Sequence, residues 1–245
     1  MGGSFYIQQS ESVLVRICIF FSYAQHGCGY YIQTVEYSTN KNYAFECSVS
    51  ECNGFDASIY HQYGEIKVSN MNTSYNRINM HAAYVIDTQL GSVNFTTVSN
   101  SSSSHLDLTY SESYIIFTKC NHLNNEYTGI ENAIFYCWGT IRYLNCSFIR
   151  NVGNYLFFSK PDITHCYFDK NEFTRTVNQV YTGSFDSIEP LNSFISHYAV
   201  EGCPRAYNYN NNSYNDDEDE LDLEDIKNIL SSVYNTSFFE AVNLL

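Results

Sequence analysis

Acidic residues and histidines recur in the first half of the chain in a pattern that could serve acid–base chemistry. Asp56, Asp87 and Asp107 each lie near a short apolar segment, and His81 and His105 begin two such segments 24 residues apart. Carboxylates that converge with Arg, Lys or His on one sheet can bind calcium or cleave polysaccharides by acid–base catalysis. Asp56 begins its segment whereas Asp87 follows one, so their registers differ. The pattern favours a stacked polar edge over an active site.

The sequence assigns no catalytic, cofactor-binding or metal-binding residues. The sequence contains 12 Lys and Arg and 26 Asp and Glu, which gives a formal net charge of −14. Phosphate binding needs clustered cations, so this balance disfavours nucleic acid and anionic membranes as partners. The best apolar run, residues 13–21, is interrupted by Arg16 and is far shorter than the ~20 residues that a transmembrane segment needs. No signal peptide is recognisable, and the start inside a strand pattern indicates a fragment of a longer protein.

The elements that would position any site are β-strands. The 245 residues include 23 Tyr and 17 Phe but only 3 Pro, and Asn and Ser are abundant. Aromatic side chains favour strands, whereas Asn and Ser favour turns. The main part of the chain is therefore predicted to be all-β.

A degenerate repeat organises these strands. Segments 141–151 and 162–171 both contain Cys-x-Phe-x-x-Asn, and weaker copies place anchors at positions 18, 47, 70, 96, 120, 146 and 166, at intervals of 20 to 29 residues. A second motif, a small or polar residue followed by apolar residues, precedes each anchor, as in Gly29-Tyr-Tyr-Ile32. Two strand signals in each period predict a right-handed parallel β-helix of about seven coils over residues 1–171.

The motif also predicts how the coils stack. Cys and Phe of Cys-x-Phe share one face of a strand and point inward. The trailing Asn suits a left-handed turn, and stacked Asn side chains would hydrogen-bond along the axis. A leucine-rich repeat is disfavoured because Leu is sparse. A β-sandwich is the more serious alternative, although the hairpin signal Asn-Gly occurs once, at Asn53-Gly54.

These residues resemble a known family. Gly-Gly-x-x-Tyr-Ile at the start, Cys-x-Phe-x-x-Asn and the Tyr/Asn/Cys-rich background are similar to the pectin-lyase-like β-helix proteins of large protist surface families, which resemble bacterial polymorphic outer-membrane proteins. The resemblance covers residues 3–171. It implies a β-helix without known enzymatic activity, at the cell surface or outside the cell. Many such proteins end in a transmembrane helix, which this sequence lacks.

The cysteines follow the repeat. Five of the nine lie at predicted anchors and should form an inward-facing cysteine ladder: Cys18, Cys47, Cys120, Cys146 and Cys166. Adjacent coils would bring such residues within range of a disulfide, and the odd total leaves at least one thiol free. A zinc site is disfavoured because no Cys-x-x-Cys occurs.

The remainder of the chain changes character. Residues 172–206 are predicted to be an irregular closing segment, and 207–215 a disordered Asn/Tyr-rich linker. Residues 216–245 begin with an acidic run that opens an amphipathic helix, whose apolar positions are Leu223, Ile226, Leu230 and Val233. This helix would cap the coil stack or bind a partner.

The fold and the resemblance together suggest a non-enzymatic surface or secreted protein for adhesion, display or binding. A glycan or a host or cell-surface protein would be its partner. The alternative is a polysaccharide lyase or glycoside hydrolase on the same scaffold, which three or more converging Asp, Glu, Arg or His side chains in one groove would favour.

Overall fold

The protein is a parallel β-solenoid, described here from a computed structural model over residues 3–177. The strands are β1 (Phe5–Gln8), β2 (Ser12–Val15), β3 (Cys18–Phe20), β4 (Tyr23–Ala24), β5 (Tyr30–Gln33), β6 (Lys41–Phe45), β7 (Ser48–Ser50), β8 (Asn53–Gly54), β9 (Ala57–Gln62), β10 (Glu65–Ser69), β11 (Asn72–Ser74), β12 (Arg77–Ile78), β13 (His81–Asn94), β14 (Thr97–Ser99), β15 (Ser102–Ser103), β16 (Thr109–Thr118), β17 (Asn121–Leu123), β18 (Glu126–Tyr127), β19 (Ala133–Leu144), β20 (Ser147–Ile149), β21 (Val152–Phe157), β22 (Asp162–Thr164), β23 (Tyr167–Asp169) and β24 (Glu172–Val177). No helix within this range is long and apolar enough to cross a membrane.

The strands stack coil upon coil. Seven short strands form one sheet in the order β23-β20-β17-β14-β11-β7-β3, and the others form a 17-stranded sheet. Each step pairs parallel strands in register, for example Asn121 with Ser147 and Ser147 with Tyr167. The seven stacked strands make about six turns, which confirms the predicted parallel β-helix. A β-sandwich would need antiparallel pairs, and every strand pair within 3–177 is parallel.

The solenoid continues beyond the last predicted coil. β24 pairs with β21 and extends the parallel sheet to Val177, past Asn171. The rest of the predicted closing segment, the linker at 207–215 and the amphipathic helix within 216–245 lie outside the described residues.

Two of the seven predicted anchors are wrong by one residue. Cys18 pairs with Ser48 and is exposed, so it does not belong to the inward-facing set. Ile17 takes the anchor position instead, and its side chain packs against the core. In the third coil the inward residue is Met71 rather than Asn70. In both coils the anchor position faces the interior, and it is occupied by an apolar residue next to the one that matched the motif.

Left-handed residues form the corners of each coil. Two such residues, five positions apart, flank every strand of the seven-stranded sheet, with φ between +50° and +59°. The pairs are Arg16 and Phe21, Glu46 and Glu51, Asn70 and Tyr75, Phe95 and Asn100, Lys119 and Asn124, Asn145 and Arg150, and His165 and Lys170. The trailing Asn151 and Asn171 of the motif follow the left-handed residue and do not occupy that position, contrary to the prediction. Their side chains are thereby directed into the stack.

Asparagine side chains form a ladder at this corner. The backbone N–H of Asn125 donates to Asn151 Oδ1 (3.2 Å), and that of Asn151 donates to Asn171 Oδ1 (2.9 Å). Asn151 Nδ2 also donates to the carbonyl of His122 (2.9 Å). Ser101 continues the ladder in the preceding coil, where its N–H donates to Asn125 Oδ1 (3.1 Å). The predicted hydrogen bonding along the axis is confirmed from Ser101 to Asn171.

Stacked aromatic side chains fill the interior. Phe117 and Tyr143 are parallel with ring centroids 4.7 Å apart, and Phe148 and Phe168 stack at 4.9 Å. Offset-stacked rings add to the free energy gained by burying their area. The solenoid thus has a packed core, which leaves its outer surface as the place for a functional site.

Candidate functional site

One outer face of the solenoid carries ordered rows of side chains. In β5, Tyr30 and Ile32 point inward and are fully buried, so Tyr31 and Gln33 point outward. Tyr31 is in register with Tyr6 below it and Tyr60 above it. Because coils stack in register, any residue type repeated at one strand position forms a row along the axis, with a spacing of about 4.8 Å.

The outer aromatic row takes one residue from each coil. Its members are Tyr6, Tyr31, Tyr60, Val85, Tyr110, Tyr136 and Phe158. Six of the seven are aromatic, and Val85 is the exception.

Val85 divides the row into two ring stacks. Tyr31 lies 5.0 Å from Tyr6 and 4.6 Å from Tyr60 between ring centroids. Above Val85, the Tyr136 ring lies 4.8 Å from the Tyr110 ring, with 8° between the ring planes, and 4.6 Å from the ring of Phe158. Rings in the middle of a stack cover each other's faces. A ligand lying along the row would therefore meet ring edges, which carry the positive end of the ring quadrupole.

A second row runs beside the first, two residues further along each strand. This amide–carboxylate row consists of Gln8, Gln33, Gln62, Asp87, Glu112 and Trp138.

Hydrogen bonds connect the first four members of this row. Gln8 Nε2 donates to Gln33 Oε1 (3.0 Å), and Gln33 Nε2 donates to Gln62 Oε1 (2.7 Å). Gln62 Nε2 then donates to Asp87 Oδ2 (3.1 Å). The Tyr110 hydroxyl donates to Glu112 and connects the two rows. The amides are thus held in a fixed orientation, and neither row contains Lys or Arg.

Histidines and aspartates alternate on the other side of the aromatic row. The Nδ1 atom of His26 lies 2.8 Å from Asp56 Oδ2, and Nδ1 of His81 lies 3.7 Å from Asp107 Oδ2. Burial lowers the pKa of His81 to about 4, against an opposing effect of Asp56, and burial raises the pKa of Asp107 to about 8. Both members of the inner pair are therefore neutral between these values, and 3.7 Å is too long for a hydrogen bond.

An acidic cleft lies beside Asp87 and Glu112 of the amide–carboxylate row. Glu36, Asp87 and Glu112 line a cavity of about 290 Å³ together with Tyr63 and Ser113. Burial raises the pKa of Asp87, the hydrogen bond from Gln62 lowers it, and the neighbouring carboxylates Glu112 and Glu36 raise it. Three carboxylates thus share one groove, the arrangement that the sequence analysis associates with an enzyme.

The structure brings together only some of the residues that the sequence singled out. Asp56, His81 and Asp107 lie in the same alternating column, whereas Asp87 belongs to the amide–carboxylate row. The predicted stacking of His81 on His105 is wrong, because Asp107 lies beside His81 and His105 is exposed.

A register shift accounts for that error. The pairing of β13 with β9 shifts between His81 and Tyr84, and the N–H of Ala83 then bonds the carbonyl of Leu108. The shift is one residue: Ala57 and His81 are 24 residues apart, whereas Ile59 and Tyr84 are 25 apart, so counting at a fixed interval fails here.

Sequence reasoning missed both outer rows, although a signal for them was present. Tyr-x-Gln occurs at Tyr6–Gln8, Tyr31–Gln33 and Tyr60–Gln62 in three successive coils. Because alternate residues of a strand share a face, this repeat places two parallel rows on one outer surface.

The described cysteines, Cys18 apart, have buried thiols. The N–H of Cys120 donates to Cys146 Sγ (3.5 Å), and the N–H of Cys146 donates to Cys166 Sγ (3.3 Å). Burial raises the pKa of Cys47 to about 11 and that of Cys137 to about 12. Within residues 3–177 no group of three or more His, Cys, Asp or Glu side chains is arranged to hold a metal ion. These thiols belong to the core.

Comparison of the chain with protein-family models, with curated proteins and with solved structures finds no match. Function is therefore argued from the geometry of the outer face.

Proposed function

We propose that the protein is a non-enzymatic binding solenoid that holds an extended, neutral glycan chain along its outer aromatic and amide–carboxylate rows. The observation that carries this proposal is the register of the two rows over successive coils, with aromatic rings stacked on both sides of Val85. A straight row that places one side chain on each coil complements a ligand that is itself a linear polymer. Tyr and Trp are among the residues that contribute most to binding energy at interfaces.

The chemistry of the rows favours neutral sugars. Side-chain amides and carboxylates accept and donate hydrogen bonds in the way that sugar hydroxyls require. The carboxylates of Asp87 and Glu112 would repel an anionic polymer, and neither row offers a cation to compensate. Trp138 is half exposed and presents apolar surface at the end of the amide–carboxylate row. The resemblance to pectin-lyase-like surface proteins supports a secreted or cell-surface role in adhesion.

Affinity electrophoresis in gels that contain single neutral polysaccharides tests the proposal. We expect at least one polysaccharide to retard the wild-type protein. Tyr136→Ser should weaken that retardation by about fivefold or more, the equivalent of about 1 kcal/mol. Tyr114→Ser, on β16 but outside both rows, is the matched control and should migrate as wild type. Absence of retardation across the panel, or equal retardation of the two variants, would refute the proposal.

The acidic cleft supports a second candidate, a glycoside hydrolase. A glycoside hydrolase uses one carboxyl group as general acid and a second carboxylate as base or nucleophile, and the raised pKa of Asp87 suits the acid. Reducing-sugar release from the same polysaccharides tests this activity. Loss of release in Asp87→Asn, with retention of gel retardation, would support the hydrolase. No release by the wild-type protein would reject it.

A further inference from the structure

Two asparagines at corners of the coils belong to acceptor motifs for N-linked glycosylation. Asn100-Ser-Ser102 and Asn145-Cys-Ser147 both match the motif Asn-x-Ser/Thr. Each asparagine has left-handed backbone, with φ of +51° and +53°. Asn100 follows β14 and Asn145 precedes β20, so the two lie at opposite edges of the seven-stranded sheet.

Both side chains are accessible at these corners. Asn100 and Asn145 are partly exposed, and neither side-chain amide makes a hydrogen bond within residues 3–177. The corner residues of the adjacent coils are exposed as well. They are Tyr75 and Asn124 around Asn100, and Lys119 and His165 around Asn145. A sugar attached at either corner would therefore lie in solvent, outside the stack of coils.

The asparagines of the buried ladder differ in both respects. Asn125 and Asn151 are fully buried, and each uses its Nδ2 atom as a hydrogen-bond donor. A sugar on Nδ2 would not fit inside this packed corner. Two residues further along, these asparagines are followed by Tyr127 and Gly153, so neither belongs to an acceptor motif. The chain thus separates its structural asparagines from its accessible acceptors.

The outer aromatic and amide–carboxylate rows lie away from these acceptors. Among the strands that carry the rows, β1, β5, β9, β16 and β19 contain no asparagine. The other acceptor motifs of the described residues begin at Asn72 in β11 and at Asn94, the last residue of β13. Glycans at the two corners would border the seven-stranded sheet and leave both rows accessible.

A disulfide bond provides an independent observation about the compartment. Cys18 lies on the exposed side of β3 and is disulfide-bonded. Disulfides form and persist in the oxidising environment of the endoplasmic reticulum and outside the cell. N-linked glycosylation modifies proteins that follow this secretory route. The bond therefore supports exposure of the acceptors to the glycosylation machinery.

We propose that the chain carries N-linked glycans at Asn100 and Asn145. The donor is an oligosaccharide joined to a lipid through diphosphate. The anomeric carbon of the oligosaccharide forms a bond to Nδ2 of the asparagine, and its bond to the diphosphate oxygen breaks. The lipid diphosphate leaves, and Nδ2 gives up one proton. The backbone N–H of Asn100, which donates to the Leu123 carbonyl, is untouched, so the coils stay paired.

Expression of the full chain behind a cleavable leader, in a eukaryotic secretory host, tests this inference. We expect peptide-N-glycosidase to increase the gel mobility, and mass spectrometry to locate the Asn-to-Asp conversions that the enzyme leaves at positions 100 and 145. Ser102→Ala should lose one glycan, whereas the matched Ser102→Thr should keep it because Thr preserves the motif. Asn145→Gly should lose the other glycan, since Gly suits left-handed backbone. Asn124→Gly, at an exposed corner outside any acceptor motif, is the control and should keep both.

The inference fails if the wild-type protein lacks a glycan at either position, or if Ser102→Ala is modified at Asn100 like wild type. Glycans confined to Asn72 and Asn94 would also contradict it. Medium and cell extract are analysed together, so protein that the cell retains is scored as well. Circular dichroism separates loss of a glycan from loss of the fold. The glycans are independent of what the outer rows bind, because unglycosylated protein from bacteria can be run in the polysaccharide gels.

Discussion

The side chain of Asn151 is hydrogen-bonded to that of Asn171 in the next coil: Asn151 Nδ2 donates to Asn171 Oδ1 over 2.9 Å. The same Nδ2 donates to the His122 carbonyl, and Asn151 Oδ1 accepts from the backbone and side chain of Asn125. One fully buried amide therefore satisfies polar groups in three successive coils. Since buried polar groups are costly when unpaired, this side chain holds the coils in register.

Asn151→Ala should destabilise the protein by about 3 kcal/mol, because it leaves buried donors and acceptors of both neighbouring coils unpaired. Chemical denaturation measures the loss. Asn154→Ala is the control: Asn154 makes one exposed hydrogen bond, to the carbonyl of Ile130, so its removal should cost well under 1 kcal/mol. Equal costs for the two variants would show that the ladder has no special role.

The thiols of the core should resist modification. Burial raises the pKa of Cys52 to about 11 and that of Cys137 to about 12, so their reactive thiolate is scarce at pH 8. We expect the seven free cysteines of residues 3–177 to react with Ellman's reagent only when the protein unfolds. Fast reaction of two or more thiols in the native protein would contradict this packing, because Cys18 is disulfide-bonded and only one other of the nine cysteines lies outside these seven.

The sequence predicted the fold where motif and burial agree. Cys146 and Phe148 are both fully buried, and the coil they belong to was placed correctly. The prediction was less accurate where consecutive residues are all apolar, as at Ile17-Cys18-Ile19. There the sequence does not show which alternate residues face the core. The sequence could not predict that Asp107 lies beside His81, because a register shift inside β13 determines which residues of adjacent coils are neighbours.

Asp107 should make the protein less stable as the pH rises. Burial raises its pKa from the ordinary 3.8 to about 8, so the folded protein keeps a proton that the unfolded chain has lost. Its contribution is fully present below pH 4 and is lost as the pH rises towards 8. Asp107→Asn keeps the shape and removes the titration. We expect the variant to be more stable than wild type at pH 8 and about equal to it at pH 4.

Urea denaturation at the two pH values checks this expectation. A gain for Asp107→Asn at pH 4 that equals the gain at pH 8 would mean that Asp107 does not titrate in this range. Loss of stability at both values would mean that the carboxyl group is ionised and pairs with a protonated His81 instead.

His122 should have the opposite dependence. Burial lowers its pKa from 6.5 to about 3, and neither ring nitrogen has a hydrogen-bond partner in the described structure. The ring stacks on Phe148 with centroids 5.0 Å apart and lies against Phe135 at 4.7 Å. Because the unfolded chain binds a proton more readily, the stability that neutral His122 supports is complete above pH 6.5 and is lost as the pH falls towards 3.

His122→Phe should therefore make the protein less sensitive to acid. A phenyl ring keeps the stack on Phe148 and cannot take up a proton. From pH 6.5 to pH 4 the shift is worth about 3 kcal/mol at 1.36 kcal/mol per pH unit, so the variant should gain about that much relative to wild type over this range. Denaturant unfolding at both pH values measures the gain. A constant difference between the two proteins would contradict the buried, neutral state of His122.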